Sequence, residues 1–250
     1  PIFSSIRRHP RYRRWFRGLG DVYKRQLRAG VVAGGFDLGL AFDGDADRVF
    51  VVDETGSGLS GSTTTAILAA ATLRQHPGAT VLHNLICSQA VPEVVSELGG
   101  TPLRTKVGHS FIKQVMAETG AEFGGEHSAH YYFARNFNAD SGLIASLMVM
   151  AEIGRAGVPL SQVRLPYERY SSSGEINTQV DDATAVIEKI SEHYGACEQD
   201  RLDGLTVRCD GWWFNLRPSN TEPLLRLNLE AADRAGCDDG VAELLTLITS

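Results

Sequence analysis

Three aspartates spaced two residues apart are the most chemically specific feature of the sequence. Asp43, Asp45 and Asp47 are separated only by a glycine and an alanine, and Arg48 follows directly. Because nothing bulky stands between them, the three carboxylates converge on one cation if the loop curls. Oxygen ligands at this density suit Mg²⁺ or Ca²⁺ rather than zinc or copper. Three acids this close repel one another and one arginine does not neutralise them, so the spacing predicts a metal-binding loop.

Two other interpretations of this loop stay open. A D-x-D-x-D run also opens an EF-hand, and Glu54 falls at the twelfth position, where such a loop places a bidentate ligand. The sixth position requires a glycine for the sharp turn, but here it is Arg48, and β-branched and aromatic residues follow. The pattern therefore favours Mg²⁺ over Ca²⁺. A polar turn that binds no metal is the second alternative.

A second group of polar residues is the segment KVGHS at 106–110, between a predicted strand and a predicted helix. The free N–H groups at a helix start and the helix dipole favour an anion there. Lys106 and His109 add charge and donors. The segment predicts an anion site, and an ordinary helix start with solvated side chains is the alternative.

A third group, GEHSAH at 125–130, directly follows another predicted strand. Glu126 accepts from two neighbouring hydroxyls and Ser128 donates or accepts, which suits the binding of a sugar ring. Histidine side chains ordinarily have a pKa near 6.5, so His130 is a candidate for moving protons at neutral pH. Zinc is the alternative because two histidines accompany the glutamate, but the spacing is not the helical H-E-x-x-H and the neighbouring glycines oppose a helix.

The fourth group is RPSNTEP at 217–223, between two predicted strands near the C-terminus. An arginine forks onto two phosphate oxygens while hydroxyl and amide groups bind others. The segment predicts a phosphate grip formed by Arg217, Ser219, Asn220 and Thr221. A plain hairpin rich in turn-forming residues is the alternative.

Strand-length apolar runs and helical patterns alternate through the first two-thirds of the chain. Strands are predicted at 36–41, 49–52, 80–83, 101–104 and 121–123, and helices at 63–75, 90–98 and 108–118. Short connections between alternating elements predict an α/β fold, with a mostly parallel sheet and helices on both faces. Ligands bind such sheets at the carboxyl ends of the strands, where the segments KVGHS and GEHSAH fall.

The last 77 residues differ in pattern. A long apolar helix at 140–154 and a linker at 165–174 precede them, and they are predicted to form strands at 175–179, 205–208, 212–216 and 224–230, and helices at 183–194 and from about 238. This order predicts a small C-terminal α+β domain with an antiparallel sheet.

Charge is unevenly distributed along the chain. The formal charge is −6, yet residues 1–28 carry nine Lys/Arg and one acid, so the remainder is strongly acidic. An acidic body argues against a nucleic-acid surface. The basic leader starts at Pro1, lacks an apolar stripe and stops near Ala29, which favours a truncated or mis-joined N-terminus over a nucleic-acid arm or a transit peptide.

The cysteines and the hydropathy predict a cytoplasmic protein with no membrane partner. Cys87, Cys197, Cys209 and Cys237 form no C-x-x-C pair, so we expect reduced thiols. The longest apolar run, 143–151, is far shorter than the ~20 residues of a membrane span.

In this order and at these separations, FDGDADR, KVGHS, GEHSAH and RPSNTEP resemble the α-D-phosphohexomutases, most closely the bacterial phosphomannomutase/phosphoglucomutase branch. The similarity runs from about Gly35 to the C-terminus. Family members have four domains. The resemblance implies an atypical leader at 1–29, the tail of the second domain at 30–57, a sugar-binding third domain at 58–165 and a phosphate-binding fourth domain at 168–250.

The resemblance also assigns roles to the matching positions. It implies that Asp43, Asp45 and Asp47 bind Mg²⁺. It also implies three catalytic residues. Arg48 matches an active-site cation, and His109 and His130 match proton-transfer or positioning groups. The remaining positions become substrate-binding residues: Lys106, Gly108, Glu126, Ser128, Arg217, Ser219, Asn220 and Thr221.

The implied reaction moves a phosphate between the 1- and 6-positions of mannose or glucose, through a phosphoserine and a hexose bisphosphate intermediate. Positioning and charge neutralisation drive such a transfer. The family's serine lies in a T-x-S-H-N-P type segment, and no Ser-His-Asn occurs in the 250 residues. Ser62 and Ser110 are expected to be helix caps. We therefore expect this chain alone to be inactive; a non-catalytic phosphosugar-binding protein and a phosphoglucosamine mutase fragment are the alternatives.

Overall fold

A computed structural model of the chain describes residues 21–219 and 223–250. The helices are α1 (Asp21–Gly34), α2 (Gly61–Gln75), α3 (Ala90–Glu97), α4 (His109–Thr119), α5 (Gly142–Ala156), α6 (Leu160–Val163), α7 (Ala183–His193) and α8 (Arg234–Thr249). The strands are β1 (Leu38–Phe42), β2 (Val49–Asp53), β3 (Thr80–Asn84), β4 (Thr101–Thr105), β5 (Phe123–Gly125), β6 (Tyr131–Phe133), β7 (Ala139–Asp140), β8 (Ser171–Gln179), β9 (Glu198–Asp200), β10 (Leu205–Cys209), β11 (Trp212–Pro218) and β12 (Leu224–Ala231).

Strands β1 and β2 form an antiparallel hairpin, and the three aspartates lie in its turn. Val49 and Val51 of β2 are buried in the same core as α2 and α5, whereas β1 is mostly half-buried. Both expected strands are present, and β2 is the more buried of the two. Helix α1 runs without a break through position 29, so the expected end of the leader falls inside a continuous helix.

The central sheet has the strand order β4-β3-β5-β6-β7, and its two faces are covered by different helices. Val81 of β3 packs into the core formed with α2 and α5, while its neighbour Leu82 contacts Ile112 and Met116 of α4. Strand β3 pairs in parallel with β4 and β5, but β5–β6 and β6–β7 are antiparallel. The sheet is therefore mixed, because the five residues between β5 and β6 are too few for a parallel crossover.

The residues that cap α2 and α4 are not the serines that the sequence predicts. Ser60 caps α2 by accepting from the Thr63 N–H at 2.9 Å, and Gly108 occupies the cap position of α4. Ser62 and Ser110 are therefore not caps. The Ser62 hydroxyl instead accepts from the backbone N–H of Ser88 at 3.0 Å, which ties α2 to the residues before α3.

The C-terminal region folds as an antiparallel sheet in the order β8-β12-β11-β10-β9, packed against α7 and α8. Its core includes Phe214 and Leu227 from the sheet, Ile190 from α7 and Leu244 from α8. This confirms the predicted α+β domain. The expected linker is partly wrong, because 171–174 belong to β8 and Ser171 pairs with Ala231. The backbone of this segment is hydrogen-bonded to β12. Its run of serines has no apolar alternation, so the sequence does not indicate a strand there.

The expectation of four reduced cysteines is also wrong. Cys197 and Cys209 form a disulfide, while Cys87 and Cys237 are buried free thiols. The pairing of β9 with β10 sets Glu198 opposite Arg208, so the residues one step further along face each other. The register of β9 against β10 brings the two sulfurs together. The spacing of the cysteines in the sequence does not indicate this register.

No single helix in the described ranges has the length and apolar composition to cross a membrane; α5 and 160–167 satisfy that criterion only as a pair bent by 91°.

Candidate active site

The three aspartates converge. Asp43, Asp45 and Asp47 each place a carboxylate oxygen within 4.8 Å of the others. Arg48 holds the loop closed, because its Nε donates to Asp43 at 2.7 Å and its backbone N–H donates to the same carboxylate at 3.3 Å. Ala46 adopts a φ of 62°, a left-handed conformation that costs energy in a residue with a side chain. The tight turn that the spacing predicts is therefore present.

The electrostatics of the loop favour a cation. Burial and the neighbouring Asp43 carboxylate raise the pKa of Asp47. Burial also opposes ionisation of Asp43, but the hydrogen bonds from Arg48 outweigh it and lower the pKa of that carboxyl. The Asp47 Oδ1 atom is buried and has no hydrogen-bond partner within the described ranges. A buried carboxylate oxygen that accepts no hydrogen bond is suited to coordinate a divalent ion.

Helix α5 positions the loop through a close backbone approach. The N–H of Gly142, at the start of α5, donates to the carbonyl of Ala46 at 3.1 Å. A Cβ atom at position 142 would lie 2.7 Å from the carbonyl carbon and oxygen of Arg48, so only glycine allows this contact. The sequence gives no separate signal for this role, because the glycine lies almost 100 residues from the loop it supports.

His130, the last residue of the GEHSAH segment, contacts the aspartate loop. Its backbone pairs with Arg48 in an isolated antiparallel bridge, and its Nε2 lies 3.7 Å from Asp47 Oδ2. On the other side of the ring, Nδ1 lies 2.9 Å from the Ser128 hydroxyl and 3.4 Å from Glu126 Oε2. Burial lowers the pKa of His130, but the Glu126 and Asp47 carboxylates outweigh it and raise the pKa. The side chain is thus placed to hold a proton between the two segments.

Glu126 and Ser128 occupy different environments. Ser128 is exposed at the surface of the segment, whereas Glu126 is only 2% exposed. The Glu126 carboxylate accepts from the Tyr132 hydroxyl at 2.7 Å and from the N–H of Gly108 at 3.1 Å. Burial opposes its ionisation, but these donors and His130 lower its pKa below the ordinary value. Glu126 is therefore an ionised group directed into the protein, while Ser128 faces outward.

The KVGHS segment lies beside this group, at the end of β4. Lys106 is exposed with its Nζ 5.8 Å from the centre of the Phe111 ring, and His109 is exposed at the first position of α4. The backbone N–H of Val107 donates to Asp203 of the C-terminal domain at 3.2 Å. The segment therefore contacts both the GEHSAH segment and the C-terminal domain.

The second charged region of the molecule lies at the end of β11. Arg217 and Arg226 sit directly opposite each other on β11 and β12. Each lies 3.4 Å from a different oxygen of Glu175, and Arg226 also donates to the Ser219 hydroxyl at 3.4 Å. The Nε atoms of both arginines are buried without a hydrogen-bond partner in the part of the chain that the structure describes. Unsatisfied guanidinium donors of this kind suit an anion with several oxygens.

Two predicted members of this group, Asn220 and Thr221, lie outside the described residues. Sequence reasoning missed Arg226, although its position is symmetric with Arg217 about the turn that joins two predicted strands. Arg217 also lies close to the loop that contacts the KVGHS segment. Gly204 of that loop packs against Arg217 so closely that a Cβ at position 204 would lie 2.7 Å from the Cβ of Arg217. The adjacent Asp203 accepts a hydrogen bond from the Val107 N–H. The residue pair 203–204 therefore contacts both Arg217 and the KVGHS segment.

Comparison with known proteins agrees with this architecture. Residues 60–170 match the phosphoglucomutase/phosphomannomutase alpha/beta/alpha domain III, and residues 175–247 match the C-terminal domain of the same family. A phosphomannomutase from Methanocaldococcus jannaschii is 44% identical over 212 residues, which are 85% of this chain and 47% of that protein. A phosphomannomutase from Escherichia coli K12 is 40% identical over 207 residues, covering 82% of this chain and 45% of the relative.

The structures agree as well. A phosphoglucomutase/phosphomannomutase family protein from Burkholderia thailandensis superposes with a TM-score of 0.79 and 28% identity, over 90% of this chain and 50% of that one. The chain thus spans about half the length of its relatives. The chain matches two consecutive domains of one family and is at least 40% identical to these two phosphomannomutases. It therefore belongs to the phosphoglucomutase/phosphomannomutase family.

Proposed function

We propose that this chain provides the metal loop, the sugar-binding domain and the phosphate-binding domain of a phosphohexomutase that interconverts hexose 1-phosphate and hexose 6-phosphate. The observation that carries the proposal is the contact between the aspartate loop and the GEHSAH segment: His130, the last residue of that segment, lies 3.7 Å from Asp47 and its backbone pairs with Arg48. On this proposal residues 30–57 end the second domain, 58–165 form the third and 168–250 the fourth. Mannose and glucose phosphates are the substrates.

Mg²⁺ is the proposed cofactor, and Asp43, Asp45 and Asp47 are its proposed ligands. Their convergence supports the assignment, as does the buried Asp47 Oδ1 atom, which accepts no hydrogen bond from the residues that the structure describes and has only the Arg48 guanidinium, 3.8 Å away, as a charged partner. When bound, the ion would neutralise negative charge on the transferred phosphoryl group. Arg48 adds a fixed positive charge beside the ligands. His130 and the exposed His109 hold or move protons of the sugar hydroxyls.

The substrate is proposed to be held at both ends. Ser128 binds ring hydroxyls, and Lys106 and the N-terminal end of α4 attract the charged substrate. Arg217, with the partner Arg226 that the fold brings opposite, binds the phosphate that does not react, together with Ser219, Asn220 and Thr221. This grip recognises only a phosphate, so the sugar can bind in either orientation, as the bisphosphate intermediate requires.

The reaction also needs a phosphoserine, and these 250 residues contain no Ser-His-Asn sequence. We therefore propose that the 250-residue chain binds hexose phosphates but does not turn them over. Loss of a catalytic nucleophile costs on the order of a million-fold in rate in a serine protease. The serine would have to be supplied by residues outside this sequence.

The test has a binding arm and a turnover arm. Mannose 6-phosphate is expected to bind the purified chain more tightly than inorganic phosphate, and mannose 1-phosphate with a hexose bisphosphate activator is expected to give no product. Equal affinity for inorganic phosphate and mannose 6-phosphate would overturn the proposed function. Robust turnover would overturn the serine argument alone. Tighter binding of glucosamine 6-phosphate would favour a phosphoglucosamine mutase.

A further inference from the structure

The buried carboxylate of Glu126 connects segments from four places in the central domain. It follows β5 and accepts at 3.1 Å from the N–H of Gly108, which begins α4 after β4. It accepts from the Tyr132 hydroxyl on β6 at 2.7 Å and from the Asn84 side-chain amide at the end of β3 at 3.3 Å. The KVGHS and GEHSAH segments thus meet at one carboxylate, and its orientation sets the distance between them.

The two side-chain donors are themselves fixed. Asn84 is 0% exposed, and its Oδ1 accepts from the Cys87 thiol at 3.1 Å, so its amide cannot rotate without losing that bond. Tyr132 is also 0% exposed, and its ring packs among Leu82, Ile112 and Met116. Two rigid donors therefore approach Glu126 from separate strands. A buried carboxylate left with fewer donors would turn towards water or shift its loop, because an unsatisfied buried charge is costly.

We propose that Tyr132 and Asn84 are positioning residues for the hexose site, and that they act through Glu126. They hold its carboxylate in the orientation that also binds the Gly108 N–H and lies 3.4 Å from His130 Nδ1. Neither side chain needs to contact the substrate. The inference rests on the proposed hexose-phosphate function and identifies two side chains, neither among the residues that the motifs indicate, as determinants of sugar binding.

The fold provides a matched control for Tyr132. Tyr131 is the neighbouring residue of β6, is equally buried, and packs into the core on the opposite face of the sheet. Tyr131→Phe and Tyr132→Phe each remove one buried hydroxyl and keep the ring. Only Tyr132→Phe removes a donor from Glu126. Asn84→Ala is the second test variant, because it removes the other side-chain donor.

Two measurements on the full 250-residue chain test the proposal. In ¹H–¹⁵N spectra, Tyr132→Phe and Asn84→Ala should shift the Gly108 amide and increase its hydrogen exchange, whereas Tyr131→Phe should leave both as in wild type. In binding titrations, the two variants should bind mannose 6-phosphate about ten-fold more weakly, the effect of losing one hydrogen bond to a charged group. Inorganic phosphate, held by the arginine pair, should bind within two-fold of wild type.

The outcomes separate this inference from the function on which it rests. An unchanged Gly108 amide in Tyr132→Phe overturns the positioning role, whatever the ligand data show. A shifted amide with wild-type affinity for mannose 6-phosphate also overturns it, since the role would then be structural only. Equal loss of affinity for inorganic phosphate would point to general destabilisation and contradict the proposal. If wild type itself does not distinguish mannose 6-phosphate from inorganic phosphate, the proposed function fails first and the inference fails with it.

Discussion

The two charged regions of the site balance their charge in different ways. In the aspartate loop, three carboxylates face one guanidinium, and the buried Asp47 Oδ1 has no hydrogen-bond partner within the described ranges. In the C-terminal domain, Arg217 and Arg226 share the carboxylate of Glu175. The acidic region therefore carries excess negative charge, which a divalent cation would balance on the proposed function, whereas the carboxylate of Glu175 partly neutralises the two arginines of the basic region.

The two regions are also supported differently. The aspartate loop depends on one close backbone contact from the start of α5, while the arginines depend on the register of an antiparallel sheet that a disulfide closes at its far edge. Perturbing the contact from α5 should affect the aspartate loop, and perturbing the sheet should affect the position of the two arginines.

The largest effect is expected from the disulfide. Reducing Cys197–Cys209, which are 12 residues apart, should lower the free energy of unfolding of the C-terminal domain by about 3 kcal/mol, because the open chain gains conformational freedom when unfolded. Denaturant unfolding with and without reductant measures the change. The Cys197→Ser/Cys209→Ser double variant should unfold like the reduced wild type and should not respond to reductant. A response in the double variant would contradict the assignment.

Next in size is the loss of the phosphate grip. Arg217→Met should weaken binding of inorganic phosphate and mannose 6-phosphate by about 100-fold, or about 2.7 kcal/mol, because a bidentate charged contact is lost. Arg201→Met is the control, since Arg201 pairs with Glu188 at 2.7 Å on the outer side of the same domain. Equal affinities of both variants for phosphate would show that the arginine pair is not the anion site.

The contact from α5 can be tested with two glycines of the same helix. Gly142→Ala should destabilise the chain by about 2 kcal/mol, because the added carbon overlaps the Arg48 backbone. Gly154→Ala has no atom within 4 Å of the added carbon and should stabilise the helix by about 0.5 kcal/mol or more. Thermal unfolding compares the two. Similar melting temperatures would mean that the aspartate loop does not depend on the close approach of Gly142.

The smallest effect is a dependence of stability on pH in the central domain. Burial lowers the pKa of His83, in β3, from 6.5 to about 4. Between these values the unfolded chain binds a proton that the folded chain does not, so stability falls as the pH is lowered. The loss should reach about 1.4 kcal/mol by about pH 5.5. His83→Gln should remove this part of the pH slope, and an identical slope in the variant would contradict the assignment to His83.

Sequence reasoning predicted the features that are local in the chain. The aspartate loop, the strands around it and the antiparallel C-terminal sheet follow from patterns within a few residues, and the structure contains them. The misses concern contacts between distant residues. Gly142 against Arg48, Arg226 opposite Arg217 and the disulfide each depend on packing or strand register, which short-range spacing does not encode.

Glu126 shows the same limit within one motif. Its type and place after a strand indicated a hydroxyl-binding carboxylate, and the fold does bring it beside His130. Its burial under Tyr132 and Asn84 depends on how β3 and β6 flank β5, which no motif describes. A motif therefore locates a functional segment more reliably than it determines which side chain of that segment faces the ligand.

A calorimetric titration of the 250-residue chain with Mg²⁺ determines whether the aspartate loop binds a divalent ion. Wild type should bind one Mg²⁺ saturably. Asp45→Asn, at an exposed position of the loop, should bind it at least about ten-fold more weakly. The exposed Asp239→Asn should bind like wild type. No saturable binding by wild type, or equal binding by all three proteins, would show that these aspartates do not form a Mg²⁺ site.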